Sequence, residues 1–226
     1  MKGNKMRVSL ARSVAPLAFG LVLAGGLAGC GGATTSITGS APAPSPTASI
    51  ERQAAGFACA DGGDCAVGDI GTGGGVVFYD AGSKHWWGRY LEVAPDGWSG
   101  TGADPTAEWC DISDAMINEA AYERIGMGYN TTIRIVNVCS SGAANLARAY
   151  AGGGKTDWFL PSKDELNELC EQRERVGVFA ADEYWSSSQS DEEYAWNQTF
   201  QYLGIRGRQY RQTKDTTDRV RPVRAF

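Results

Sequence analysis

Histidine is nearly absent. His85 stands alone among 226 residues. That excludes metal sites built on two or three imidazoles and leaves every imidazole mechanism one candidate. There is no Cys-x-x-Cys pair, so a zinc site of paired thiolates has no starting point. The longest apolar run, residues 14–27, falls short of the ~20 residues a spanning helix needs. From Gly31 to about Arg52 charge almost vanishes, so that stretch offers neither ion pairs nor a binding patch.

What is present at the start reads as an export signal. Lys2, Lys5, Arg7 and Arg12 form a basic segment free of acids, followed by the short apolar run. The run ends in Leu27-Ala28-Gly29-Cys30, which resembles the lipobox of bacterial lipoproteins at all four positions. The resemblance implies that Cys30 takes a diacylglycerol and, after cleavage of residues 1–29, becomes the N-terminus. The expected location is the extracytoplasmic side of a bacterial membrane, held by lipid.

Residues 30–52 are rich in Gly, Ala, Ser, Thr and Pro and cannot build a core. They are expected to be a flexible tether, and residues 53–226 a single domain. Removing residues 1–29 takes away four basic residues and no acid, so net charge moves from −5 to −9. A chain this acidic disfavours nucleic acid as a partner.

An exported domain lies in a disulfide-permissive compartment. Cys59 and Cys65 bracket a short flexible loop and are expected to pair, as are Cys110 and Cys139. Cys170 is left over, either as a buried thiol or as a competitor for Cys139. No metal or cofactor is implied.

The chemistry of the segments gives a coarse map. Residues 76–79 and 90–94 read as neighbouring strands after the glycine-rich turn 71–75. Residues 114–124 and 130–150 read as helical, the second broken near Ser140-Ser141-Gly142. Pro161 and Ser162-Lys-Asp-Glu165 form a capping box and predict a helix to about Arg173. Strand-like pieces follow at 184–188, 194–200, 205–212 and 219–226. Helices in the middle and strands at both ends make an α+β order, not an alternating parallel one.

Four segments then read together: 67–79 (Val-Gly-Asp-Ile-Gly-Thr-Gly-Gly-Gly-Val-Val-Phe-Tyr), 157–167 (Asp-Trp-Phe-Leu-Pro-Ser-Lys-Asp-Glu-Leu-Asn), 184–188 (Tyr-Trp-Ser-Ser-Ser) and 220–224 (Val-Arg-Pro-Val-Arg). In this order they resemble the Lcl C-terminal-type family and, more widely, the C-type-lectin-like and formylglycine-generating-enzyme-like group. The resemblance implies a C-type-lectin-like fold with N- and C-terminal strands paired, two or more flanking helices, and long loops. It also implies surface-attached proteins, some of which adhere to polysaccharide. Lectins of the wider group hold calcium with Glu-Pro-Asn or Gln-Pro-Asp and Trp-Asn-Asp. Here Trp196-Asn197 is followed by Gln198, and the first two motifs are absent. The oxidase chemistry of the wider group needs a late cysteine, and none follows Cys170.

Several motifs have a structural reading beside a functional one. Gly152-Gly-Gly-Lys155-Thr156 mimics a phosphate loop but has Ala149 where that motif needs glycine. It reads as a helix stop. The amides of residues 71–75 could cradle an anion. Asp182-Glu183 and Asp191-Glu192-Glu193 are carboxylate candidates for an alternative reading as an envelope hydrolase. Trp86 and Trp87 are adjacent, so one is expected to face solvent. Residues 204–226 carry a net +5 with Tyr202 and Tyr210 interleaved. The expected binding face therefore comprises Trp86, Trp87, Tyr202, Arg206, Arg208, Tyr210 and Arg211, with no catalytic residue. Its ligand is expected to be an anionic glycan or another envelope polymer. A structural lipoprotein that binds another protein is the third reading.

Overall fold

The computed structural model describes residues 59–201 and 207–226. Residues 1–58, which include Cys30 and the tether, and residues 202–206 lie outside the described residues. Eight strands and three α-helices follow one another: β1 (Val76–His85), β2 (Gly88–Val93), β3 (Thr106–Glu108), α1 (Gly128–Val136), α2 (Ala143–Ala149), α3 (Lys163–Val176), β4 (Glu183–Gln189), β5 (Tyr194–Thr199), β6 (Gln209–Thr213), β7 (Thr217–Arg219) and β8 (Val223–Ala225). The fold is α+β, as the sequence order predicts.

The strands form two sheets, one ordered β1-β2-β8 and the other β3-β7-β4-β5-β6. The last strand returns to the first hairpin: Leu91 pairs with Ala225, Glu92 with Arg224 and Val93 with Val223. The N- and C-terminal strands are thus paired. Among the described residues only β4 and β7 pair in parallel.

Helix α3 forms where the capping box places it. Ser162 accepts the amide of Glu165, and the Glu165 carboxylate accepts the amide of Ser162 at 2.8 Å. Its Leu166, Leu169 and Cys170 enter a core with Phe78, Leu91, Phe159 and Phe200. A second core gathers Trp109, Ile135, Leu160 and Trp185 around the α1–α2 pair.

Residues 114–124 are not helical, contrary to the sequence expectation. Glu119 adopts φ +63, which ends any right-handed turn. The Gln189 side chain takes the place of helical hydrogen bonds at Ile117, accepting its amide and donating to its carbonyl. Ile117 and Ala120 are buried in the second core, so packing overrides local propensity here.

Both expected disulfides are present, Cys59–Cys65 with Cα atoms 4.8 Å apart and Cys110–Cys139 at 5.4 Å. The longer bridge fastens the end of α1 to the segment after β3. By loop entropy it contributes roughly 3–4 kcal/mol. The expected leftover thiol is not found: Cys170 is fully buried, and no described cysteine is free.

Candidate functional site

The hairpin joining β1 and β2 turns at Trp86 and Trp87, between paired His85 and Gly88. Trp86 is 70% exposed. Trp87 is half-buried against the first core, and its indole lies parallel to the His85 ring at 5.6 Å. One of the two adjacent tryptophans thus faces solvent, as expected, and both sit in the turn rather than on a strand. Gly126 makes the close approach to Trp87 feasible. It sits at φ +87, and a Cβ there would overlap the indole.

Helix α1 supplies the facing wall. Gly128, Thr131, Thr132 and Ile135 point inward and are buried. Helical spacing turns Tyr129, Asn130, Ile133 and Arg134 outward. Tyr129 meets the Phe159 ring edge-on at 5.9 Å, and the Arg148 guanidinium lies 5.4 Å from its centroid.

Three neighbouring basins lie along the hairpin and the helix. The first, of 360 Å³, includes Tyr79, His85, Trp86, Trp87, Arg124 and Met127 in its lining. The second, of 420 Å³, lies between Trp86, Trp87, Tyr129, Asn130, Asp157 and Phe159. The third, of 480 Å³, is lined by Glu119, Tyr122, Met127, Tyr129, Asn130 and Arg134, among others. The tryptophans are shared by the first two basins, and Tyr129 and Asn130 by the last two. The sequence expectation named only Trp86 and Trp87 here. It missed Tyr122 and Tyr129, whose exposed rings lie some forty residues away in the chain. The available signal was Tyr129 on the outward side of a short amphipathic helix.

The other half of the expected face lies elsewhere. Tyr202 and Arg206 fall outside the described residues. Arg208 is exposed and sits over Tyr210 at 5.3 Å. Arg211 is paired with Asp191 and lies over Tyr194 at 5.0 Å. Tyr210 and Arg211 sit on β6, an edge strand of the second sheet, and Arg208 just precedes it. A chain of contacts connects the two halves. Gln209 donates to the Lys163 carbonyl, Lys163 pairs with Glu123 at 2.8 Å, and Gly126 beyond it backs Trp87.

Most of the remaining C-terminal cations are structural. Lys214 is fully buried and donates to the carbonyls of Ala115 and Glu192 at 2.8 and 2.6 Å, and burial lowers its pKa to about 8. Arg219 pairs with Asp182 at 2.9 Å, Arg221 with Asp104 at 2.6 Å, and Arg224 with Glu92 at 2.7 Å and Asp157 at 2.5 Å.

The glycine-rich turn does cradle an anion, and that anion is internal. Gly73 and Gly75 donate their amides to the Glu92 carboxylate at 2.9 Å each. A Cβ at Gly71, Gly73 or Gly75 would come within 2.5–2.6 Å of a Glu92 oxygen or the Val93 carbonyl. Burial raises the Glu92 pKa, against the pull of Arg224 and the two amides. The Gly152–Gly154 segment is a single 3-10 turn after α2. Gly153 packs onto the Gly73 backbone, and Trp158 donates to the Gly152 carbonyl.

Catalytic candidates are equally committed. Burial opposes ionisation of Asp182, but Arg219 overcomes it and holds the carboxyl below its usual value. Burial first, then the neighbouring Asp182 and Asp218 carboxylates, raise Glu183. Neither residue lines any of the three basins. Among the described residues one group of three potential metal ligands occurs, Cys110, Asp111 and Cys139. Its two sulfurs are spent in the disulfide.

A model of the Lcl C-terminal domain family matches residues 97–224. The chain belongs to that family. The match covers the α1 wall, the Leu-Pro-Ser helix start and both arginines of the Val-Arg-Pro-Val-Arg segment, so the buried Arg221–Asp104 pair lies within this Lcl C-terminal domain, whereas Glu92, the buried partner of Arg224, precedes the matched span. The Trp86–Trp87 hairpin precedes the matched span. A search of curated proteins gives no match to the chain.

Proposed function

We propose that this protein is a lipid-anchored binding module on the outer side of a bacterial membrane, and that its basins beside Trp86, Trp87 and Tyr129 hold a carbohydrate polymer of the envelope without cleaving it. The observation that carries the reading is the row of aromatic rings along the basins, whose two carboxylates, Glu119 and Asp157, are each paired with an arginine. Flat rings stack on the apolar faces of sugars, whereas a hydrolase site needs two carboxylates at a fixed separation. The export signal read in the sequence supports a surface role, and the acidic body argues against nucleic acid.

Two measurements test this. Cys30→Ala should leave the protein unprocessed or release it from the membrane fraction, because stable anchoring needs the acyl chains. A variant cleaved and pelleted like the wild type would sink the anchor. Trp86→Ala removes a ring that is mostly in solvent, so stability should stay within about 0.5 kcal/mol. Co-sedimentation with purified envelope polysaccharide should weaken at least about tenfold. Unchanged sedimentation would rule out this face.

A further inference from the structure

We propose that the three basins form one extended site for a run of several uncharged sugar units, so that the ligand is a neutral polysaccharide segment rather than a polyanion or a single sugar. This rests on the carbohydrate reading above and narrows it. Extent is the first ground. The basins measure 360, 420 and 480 Å³ and share their dividing residues, so a bound chain passes from Trp86 and Trp87 to Tyr129 without leaving an aromatic surface. Each basin has at least two aromatic residues in its lining.

Charge is the second ground. The formally charged residues lining the basins are Arg124, Arg134, Glu119 and Asp157, which cancel. Arg134 is held by Glu119 at 2.5 Å, and Asp157 by Arg224 at 2.5 Å. Arg148, behind Tyr129, donates to the Trp158 carbonyl at 2.8 Å. Arg forks bind carboxylate or sulfate through paired donors; here Arg134 spends one on Glu119 and Arg148 one on the Trp158 carbonyl, and the Glu119 and Asp157 carboxylates stand in the same lining. The chain beyond Cys30 carries a net −9 and repels a polyanion from a distance. Asn130, the Tyr129 hydroxyl and the second Asp157 oxygen remain to meet sugar hydroxyls.

The test uses the full chain in detergent micelles. The probes are N-acetylglucosamine oligomers and β-glucan oligomers, each from monomer to hexamer, with polygalacturonate as the polyanion. The expected result is affinity for an uncharged series that rises at least about tenfold from monomer to trimer or beyond and barely changes between about 50 and 500 mM salt. Trp86→Ala and Tyr129→Ala should each remove the length dependence. Equal affinity for monomer and hexamer would overturn the extended site. Salt-sensitive binding of polygalacturonate alone, lost in Trp86→Ala, would overturn the neutral ligand while leaving the carbohydrate reading intact. If no probe of either class binds, both fall.

Discussion

Arg221→Ala should destabilise the domain by about 3–5 kcal/mol, because it strands a buried carboxylate. The side chains of Arg221 and Asp104 are each 1% exposed. One Asp104 oxygen lies 2.6 Å from Arg221 Nε, off the line of its N–H, and accepts Trp98 Nε1 at 2.9 Å. The other accepts Arg221 Nη2 at 2.6 Å and the Tyr184 hydroxyl at 2.7 Å. Arg221 also donates to the carbonyls of Ala94 and Val178. One guanidinium therefore ties together the end of β2, the loop before β3, the segment after α3 and β4. At roughly 2–4 °C per kcal/mol for a domain of this size, the melting temperature should fall by about 10 °C. Arg221→Met should cost nearly as much, since it removes the same charge. Asp104→Asn combined with Arg221→Met should cost clearly less than the two singles added, because no naked charge remains. Urea unfolding of the four proteins measures this, and additive losses would show that the pair is not a unit.

That network explains which parts of the chain were legible beforehand. The capping box at Ser162 and Glu165 was readable because all its determinants lie within one helical turn. The turn at residues 152–154 and the Cys59–Cys65 bridge were readable for the same kind of reason. The C-terminal cations were ambiguous, since a run of arginines looks alike whether it faces solvent or an acid brought from a hundred residues away. Arg221 meets Asp104 and Arg224 meets Glu92 only through tertiary pairing. The anion cradle at residues 71–75 was recognisable as a cradle, but its occupant, Glu92, arrives from the next strand. The segment 114–124 misled for the converse reason. Its apolar spacing suits a helix, yet Gln189 and the second core pin it in an irregular course. The binding basins share that difficulty, because their walls come from a hairpin and a helix far apart in sequence.

The second large effect is expected at Glu165, which holds two helices with one carboxylate. Its Oε2 accepts the Ser162 amide, closing the cap of α3. Its Oε1 accepts the amides of Gly126 at 2.8 Å and Gly128 at 3.3 Å. Helix α1 has no side-chain cap of its own at Met127, so a residue from α3 supplies the negative charge its N-terminus favours. Loss of the cap costs about 1 kcal/mol, and each buried amide left without a partner about 1–3. Glu165→Ala should therefore cost on the order of 3–5 kcal/mol. Amide exchange should accelerate first at Gly126–Asn130, the strip that backs Trp87 and carries Tyr129. Glu165→Gln keeps an acceptor oxygen for one helix and should fall between. Burial pushes the Glu165 pKa up to about 7, against the amides that pull it down. Between the ordinary carboxylate value and about 7 the folded protein then holds a proton that the unfolded chain has released. Raising the pH through that window favours the unfolded chain, so wild-type stability should decline from about pH 4.5 to 7 relative to Glu165→Gln. Parallel urea titrations of the two proteins across that range test the sign. A wild type that gains stability over Glu165→Gln as pH rises would mean that the three backbone donors outweigh burial and keep the carboxylate ionised.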